Sequence, residues 1–258
     1  MRYNIGMTKL SVNINKVATL RNTRTLEIPD VVRLSRMALQ AGAHGITVHP
    51  RPDQRHIRPY DVEHLAALWH EFPGSEFNIE GNPLLEFMSH IRKVRPTQCT
   101  LVPDARESFT SNHGWSLSGA GEGSQNGARL KPLIAEMKAL GCRVSLFMDA
   151  DSPDIERARD LGADRVELYT EPYAAAFASG DSALLNNSLQ TYASGAARAH
   201  AVGMAVNAGH DLNLLNLPPF LERIPLTSEV SIGHALIADT LEFGMAETVK
   251  KYLAACGS

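Results

Sequence analysis

Three cysteines in 258 residues, Cys99, Cys142 and Cys256, are an odd number at wide spacing with no CxxC pair. That excludes a disulfide framework and a zinc knuckle and leaves the thiols as packing residues or, for Cys256, tail. No apolar run approaches the ~20 residues of a membrane-spanning helix. The start, MRYNIGMTKLSVNI, has one arginine and no apolar core ahead of a small-residue cleavage site, so it does not read as a secretory leader; with Met7 a second candidate start, a cytoplasmic protein is expected. Lysine-rich runs are missing too. With 25 Lys+Arg against 28 Asp+Glu the formal net charge is −3, without the basic footprint that phosphate-backbone binding requires, so neither nucleic acid nor membrane is an expected partner. The GKS/GKT phosphate loop and the GxSxG elbow are absent, and no GxGxxG follows the first strand.

What remains, 44% hydrophobic and 21% charged residues, is the composition of a globular enzyme rather than of a disordered or fibrous chain. Its hydrophobic period switches repeatedly. Short apolar runs predict strands at KLSVNIN (9–15), HGITVHP (44–50), EFNIEGN (76–82), QCTLVPD (98–104), RVSLFMD (143–149), RVELYTE (165–171), MAVNAGH (204–210) and EVSIGHA (229–235). Between them lie amphipathic stretches such as PDVVRLSRMALQAG, PYDVEHLAALWHEF, PLLEFMSHIRKVR, ARLKPLIAEMKALG, SPDIERARDLG and ADTLEFGMAETVKKYLAA. Gly42, Gly141, Gly162 and Gly203 each stand where a helix should stop before a strand, and Pro29-Asp30, Pro59 and Ser152-Pro153 stand where one should start. Eight strand–helix units in a chain near 250 residues predict a (β/α)8 TIM barrel with additional helices, in one domain over 1–258; an open doubly wound sheet is the rival. Two connections are long: a Gly/Ser-rich stretch at 104–128, expected as a lid, and 171–190, expected to hold an extra helix.

In a barrel the carboxyl ends of the strands converge on one mouth, where the chemistry is done. Those ends carry Asn13 and Asn15, His49 and Arg51, Glu80, Asp104 and Thr110, Asp149, Glu167 and Thr170, His210, and His234. Three imidazoles and a carboxylate suit repeated proton transfer near neutral pH. A metal site is the competing reading, disfavoured because strand one offers Asn13-x-Asn15 rather than His-x-His and no ligand pair has i, i+4 spacing. The only lysine at a strand end is Lys16, which disfavours a Schiff-base aldolase. NAGH and SIGH each place glycine before histidine, and SIGH leads into a helix, so Gly233 and His234 form a candidate phosphate cradle. Arg51 and His56 form a second anion site. Two such sites imply a pair of phosphorylated substrates or one bisphosphate.

VNINKVATLRNTR, GITVHPRPDQRHI, FNIEGN, CTLVPDARE, VSLFMDAD, VNAGHDLN and SIGHALI, in this order, resemble the pyridoxine 5′-phosphate synthase family, the ring-closing enzymes of the deoxyxylulose-dependent route to vitamin B6. The resemblance implies a barrel with extra helices that assembles as a homo-oligomer, often an octamer, and works without metal or organic cofactor. It implies condensation of 1-deoxy-D-xylulose 5-phosphate with 3-amino-2-oxopropyl phosphate to pyridoxine 5′-phosphate, phosphate and water. His49 and Glu80 match the family's proton acceptors and His210 its proton donor. Asn13, Arg24, Gly233 and His234 match the groups that hold the aminoketone phosphate; Arg51, His56 and Thr110 match those that hold the deoxyxylulose phosphate. The chain departs from the commonest pattern at Asn15-Lys16 (usually Asp-His), Asp211 (usually Gly) and Tyr169-Thr170-Glu171 (usually His-Thr-Gly). Asn15, Lys16 and Asp211 are still expected at the substrates, with Lys16 and Asp211 paired across the mouth. The alternatives are another phosphate-binding barrel lyase or isomerase, which needs one anion site, and an inactive barrel acting as a scaffold.

Overall fold

A computed structural model of the chain describes residues 7–106, 108, 110–118 and 125–257. Eight strands, β1 (Lys9–Asn13), β2 (Gly45–Val48), β3 (Glu76–Gly81), β4 (Gln98–Leu101), β5 (Arg143–Met148), β6 (Arg165–Tyr169), β7 (Ala205–Gly209) and β8 (Thr227–Ile232), pair in sequence order and all in parallel, and β8 closes on β1. The chain folds as the (β/α)8 barrel that its alternating period predicts. Around the strands lie α1 (Asn15–Asn22), α2 (Val31–Gln40), α3 (Pro59–His70), α4 (Phe87–Val94), α5 (Asn126–Ala139) and α6 (Ile155–Asp160). They are followed by α7 (Glu171–Ala178), α8 (Ser182–Ala201), α9 (Leu217–Arg223), α10 (His234–Phe243) and α11 (Met245–Ala255).

Most of the punctuation residues act as expected; Ser152-Pro153 instead stand ahead of α6, whose N-cap is Asp154. Gly42, Gly141, Gly162 and Gly203 all take positive φ just past a helix end. Asp30 caps α2 by accepting from the Arg33 amide, and Pro59 is the first residue of α3. Three boundaries differ from expectation. Asn15 lies in α1 rather than in β1, because the ladder ends where Ile14 N–H bonds to the Thr47 carbonyl while the Ile14 carbonyl already accepts from Val17 and Ala18. The 238–255 stretch is two helices, broken at Gly244, which adopts φ 76°. The connection after β6 carries both α7 and α8 and runs on to Ala201.

The barrel is apolar outside and polar inside. Leu10, Val12, Ile46, Val48, Phe77, Ile79, Val144, Leu146, Val166, Leu168, Val230 and Ile232 are buried in the main hydrophobic cluster, where β-strand and helix meet. The alternate residues fill the interior in hydrogen-bonded tiers. At the amino end Lys9 and Arg143 hold Glu76, Arg165 Nη1 donates to Glu229 Oε2 (2.9 Å) and Asn207 Oδ1 (2.8 Å), and Arg143 Nε donates to Gln98 Oε1. In the next tier Ser11 meets Thr47 (2.7 Å) and Thr100 donates to Asn78 (3.0 Å). Barrels usually fill this space with branched aliphatics. Here the polar floor leaves the mouth above it lined by groups that can bind and exchange protons.

Candidate active site

The turn after β2 is held by two residues of α1. Arg21, on α1, is 3% exposed and grips Asp61 of α3 through two bonds (2.5 and 2.9 Å), while its Nη2 also donates to the His56 carbonyl. Asn22 Nδ2 donates to the carbonyls of Arg55 and His56. This pins His56 in place, and its Nδ1 accepts from the Ile57 amide (2.9 Å), so the ring proton sits on Nε2. Burial, reinforced by Arg51, Lys16 and Arg55, pushes His56 down to about 3; it is a neutral donor at physiological pH. Arg51 is almost fully buried and ion-paired to Asp104, and its Nη1 donates to the Ser108 carbonyl (2.7 Å). Asp104 Oδ2 also accepts from Ser111 (2.8 Å), whereas Asp104 Oδ1 has no hydrogen-bond partner among the described residues. His49, Arg51, Asn82, Phe87 and Asp104 line a small recess beside this ion pair.

His49 lies between two carboxyl groups, Nδ1 3.8 Å from Glu80 Oε2 and Nε2 3.9 Å from Asp104 Oδ2. Neither distance is a hydrogen bond. Burial, then Arg51 and His56, hold His49 well below the usual imidazole range. Glu80 is pushed up to about 8, first by burial and then by Asp104. The pair is therefore neutral at neutral pH, not an ion pair, and each member is available to exchange a proton. Asn13 steadies Glu80 from β1 through a 3.4 Å bond, and Asn15 Oδ1 accepts from the His49 amide (2.9 Å). Of the Asn15 side chain only the acceptor oxygen enters that bond.

Glu167, deeper on β6, is held well above the carboxylate range by burial and then by Glu80 and Glu229. Its carboxyl also explains the glycine of NAGH: a Cβ at Gly209 would lie 2.4 Å from Glu167 Oε1. Gly209 thus makes room for a side chain of the adjacent β6, whereas Gly233 packs against Asn13 and is the N-cap of α10, with no side-chain cap hydrogen bond.

At the end of β7, His210 and Asp211 both have positive φ (89° and 58°). His210 Nε2 lies 3.1 Å from Thr110 Oγ1, which reaches across the mouth from the connection after β4. His210 Nδ1 lies 3.0 Å from Asp211 Oδ2, and the Tyr169 ring stands edge-on to the imidazole at 5.2 Å. The expected Lys16–Asp211 ion pair does not form. The left-handed backbone turns the Asp211 carboxyl back onto the preceding imidazole, and β8 separates the strands that lead to the two residues. Lys16, exposed on α1, acts on Asp211 only through its field, as does His234.

The structure thus joins Asn13, Asn15, His49, Arg51, His56, Glu80, Thr110, His210 and Asp211 through bonds and close contacts around one mouth, with Lys16, Gly233 and His234 at its rim. Arg24, like Lys16 and His234, is exposed and shares no hydrogen bond or ion pair with the rest of the set. Sequence reasoning gave no role to Arg21, Asp61 or Tyr169. A buried arginine pairing with an aspartate 40 residues away has no local signature. Among the described residues no group of three or more His, Cys, Asp or Glu could hold a metal ion. Of the connection expected at 104–128, residues 107, 109 and 119–124 lie outside the described residues.

The chain is 53% identical over 251 residues to the pyridoxine 5′-phosphate synthase of Albidiferax ferrireducens, covering 95% of this chain and 96% of the relative. It is 50% identical over 250 residues to that of Mesorhizobium japonicum, covering 96% and 98%. Among solved structures, tryptophan synthase from M. tuberculosis superposes with a TM-score of 0.63 at 11% identity, covering 97% of this chain and 93% of that one, a likeness of fold alone. The model of the family described as pyridoxal phosphate biosynthesis protein PdxJ matches residues 10–258, and the chain belongs to that family.

Proposed function

We propose that this chain is a pyridoxine 5′-phosphate synthase that condenses 1-deoxy-D-xylulose 5-phosphate with 3-amino-2-oxopropyl phosphate, releasing phosphate and water. Family membership supports the product; the site supports the chemistry. The observation that carries the reading is the His49–Glu80 pair, two buried groups 3.8 Å apart that are both neutral at neutral pH. Condensing an amine with a ketone and closing a ring demands several proton transfers to and from carbon, nitrogen and departing oxygen. A carboxyl poised near neutrality beside an unprotonated imidazole suits that sequence.

The two substrate phosphates have two separate places to go. The open amides of α10 behind Gly233 favour one, with Asn13 beneath them and His234 beside them. Arg51 and the Nε2–H of His56 favour the other, with Lys16 and Thr110 on its rim. His49, Glu80 and His210 share the mouth: the unprotonated His49 accepts a proton, Glu80 accepts one after first giving up its own, and His210 donates once Nε2 has taken up a proton. No cofactor is required by this scheme. We propose further that the protein works in the cytoplasm as a homo-oligomer. The exposed Leu20 of α1 and Leu241 and Phe243 of α10, on two helices that pack together, support an apolar contact face.

The test is product formation: the protein, given both phosphates, yields pyridoxine 5′-phosphate. His49→Asn and Glu80→Gln fold normally and lose about 10²- to 10⁴-fold in kcat, the worth of a placed proton-transfer group. Wild-type rates in either variant, or no product from the unaltered protein, refute the reading.

A further inference from the structure

The strained dipeptide at the end of β7 serves a purpose that neither the fold nor electrostatic pairing explains. Glycine would take the φ of 58° at position 211 without steric cost, so the turn itself has no need of a carboxylate. Among the described residues the carboxylate forms no ion pair with lysine or arginine, and its one short-range partner is His210 Nδ1 at 3.0 Å. That hydrogen bond is also the leading cause that holds Asp211 below its ordinary range. An ionised carboxylate can only accept, so the Nδ1 of His210 carries the proton and Nε2 is left to face Thr110 Oγ1 at 3.1 Å.

The backbone is tied down to keep this arrangement. Thr170 Oγ1 donates to the carbonyls of both Gly209 and His210, and Asn216 Nδ2 donates to the Asp211 carbonyl (3.1 Å). Left-handed non-glycine residues persist where the surroundings over-determine them, and they gather at functional sites. The other groups near the imidazole do not compete for Nδ1. The Tyr169 phenol, raised to about 12 chiefly by burial, stays neutral, and its ring walls one side. Lys16, His234, Glu171 and Asp149 act on Asp211 or Tyr169 only through their fields, apart from a Glu171–Tyr169 hydrogen bond.

We infer that Asp211 is a positioning residue: it locks His210 in one tautomer and orientation, so that Thr110, His210 and Asp211 form a hydroxyl–imidazole–carboxylate chain with Nε2 presented to the mouth. A carboxylate bonded to Nδ1–H plays this orienting part in other imidazole-based sites. The inference rests on the proposed synthase reading for its kinetic consequence but not for its structural one.

The experiment compares the full-length wild-type protein with Asp211→Gly and Asp211→Asn. Nitrogen-edited NMR of the resting protein, with His210 assigned through His210→Gln, reads the tautomer directly. The wild type shows protonated Nδ1 and unprotonated Nε2, and Asp211→Gly shows a mixture or the reverse. Under saturating amounts of both phosphates, kcat for pyridoxine 5′-phosphate falls about tenfold or more in Asp211→Gly, a smaller loss than the ~10²- to 10⁴-fold of removing a proton-transfer group itself. Both KM values stay within about twofold, and Tm holds or rises because the left-handed position is relieved. Asp211→Asn, which keeps an acceptor and tolerates positive φ, recovers part of kcat. An unchanged tautomer signature overturns the inference, as does a raised KM with intact kcat, which would make Asp211 a substrate contact. If the wild type forms no product, the synthase reading fails while the tautomer comparison still decides the role of Asp211.

Discussion

Glu80 makes a thermodynamic statement as well as a chemical one. A carboxyl raised to about 8 binds its proton more tightly in the folded chain than in the unfolded one. Its contribution to stability is therefore present below the unfolded value near 4.3 and is lost as pH rises toward 8. Glu80→Gln removes that slope: its melting temperature relative to wild type should climb steadily between pH 5 and pH 8, even though it is a poor catalyst. A difference independent of pH would mean that the carboxyl is not held neutral. Gly209 makes the complementary test of sterics. An alanine there would place Cβ 2.4 Å from Glu167 Oε1, so Gly209→Ala should lose activity by displacing the acid. Shortening the acid in a Gly209→Ala/Glu167→Asp double variant should restore the wild-type mouth in a crystal structure more closely than the single change does.

Elements set the anion site through a contact far from any substrate. Arg21 on α1 and Asp61 at the start of α3 are each 3% exposed in their side chains and hold the 54–56 turn from below. Removing one member leaves a buried charge unpaired, so Asp61→Ala should cost about 3–5 kcal/mol in urea unfolding, whereas replacing both residues by apolar ones of similar volume should cost much less. Because Arg21 also bonds the His56 carbonyl, Asp61→Ala should raise KM for the phosphorylated substrate bound at Arg51 and His56. Equal stability losses for the single and double replacements would show that the pair is not the source of the effect. Elsewhere, Asp154 accepts from the amides of Leu117 and Ser118 and so anchors the far end of the connection that carries Thr110. One aspartate thereby both precedes α6 and positions a loop of the mouth.

At the scale of the whole molecule, the polar interior separates stability from catalysis. The apolar cluster lies between strands and helices, so the inside of the barrel is free to carry charge, with Glu76, Arg143, Arg165 and Glu229 closing its floor. Acid–base chemistry by side chains alone predicts that activity survives exhaustive chelation. Stoichiometric zinc or manganese in active protein, with loss of turnover on its removal, would point instead to a metal-dependent barrel.

Strand–helix alternation, the four glycine stops, and the placement of His49, Glu80 and His210 at strand ends were all legible in the residues. The reason is physical: period, capping and turn chemistry act over a few neighbouring positions, and a polar interior makes even parallel strands alternate, as in VNIN and FNIE. The family resemblance added substrates that spacing could not supply. What tertiary structure alone decided are the contacts between distant segments. These include Arg21 against Asp61, Glu167 filling the space that Gly209 leaves, Thr110 brought to His210, and the separation of Lys16 from Asp211. None of these is fixed by local preference, because each depends on how closure of the barrel sets the register of the strands and on where the backbone turns at their ends. Sequence determined which kinds of groups would meet at the mouth; the closed barrel determined which of them would touch.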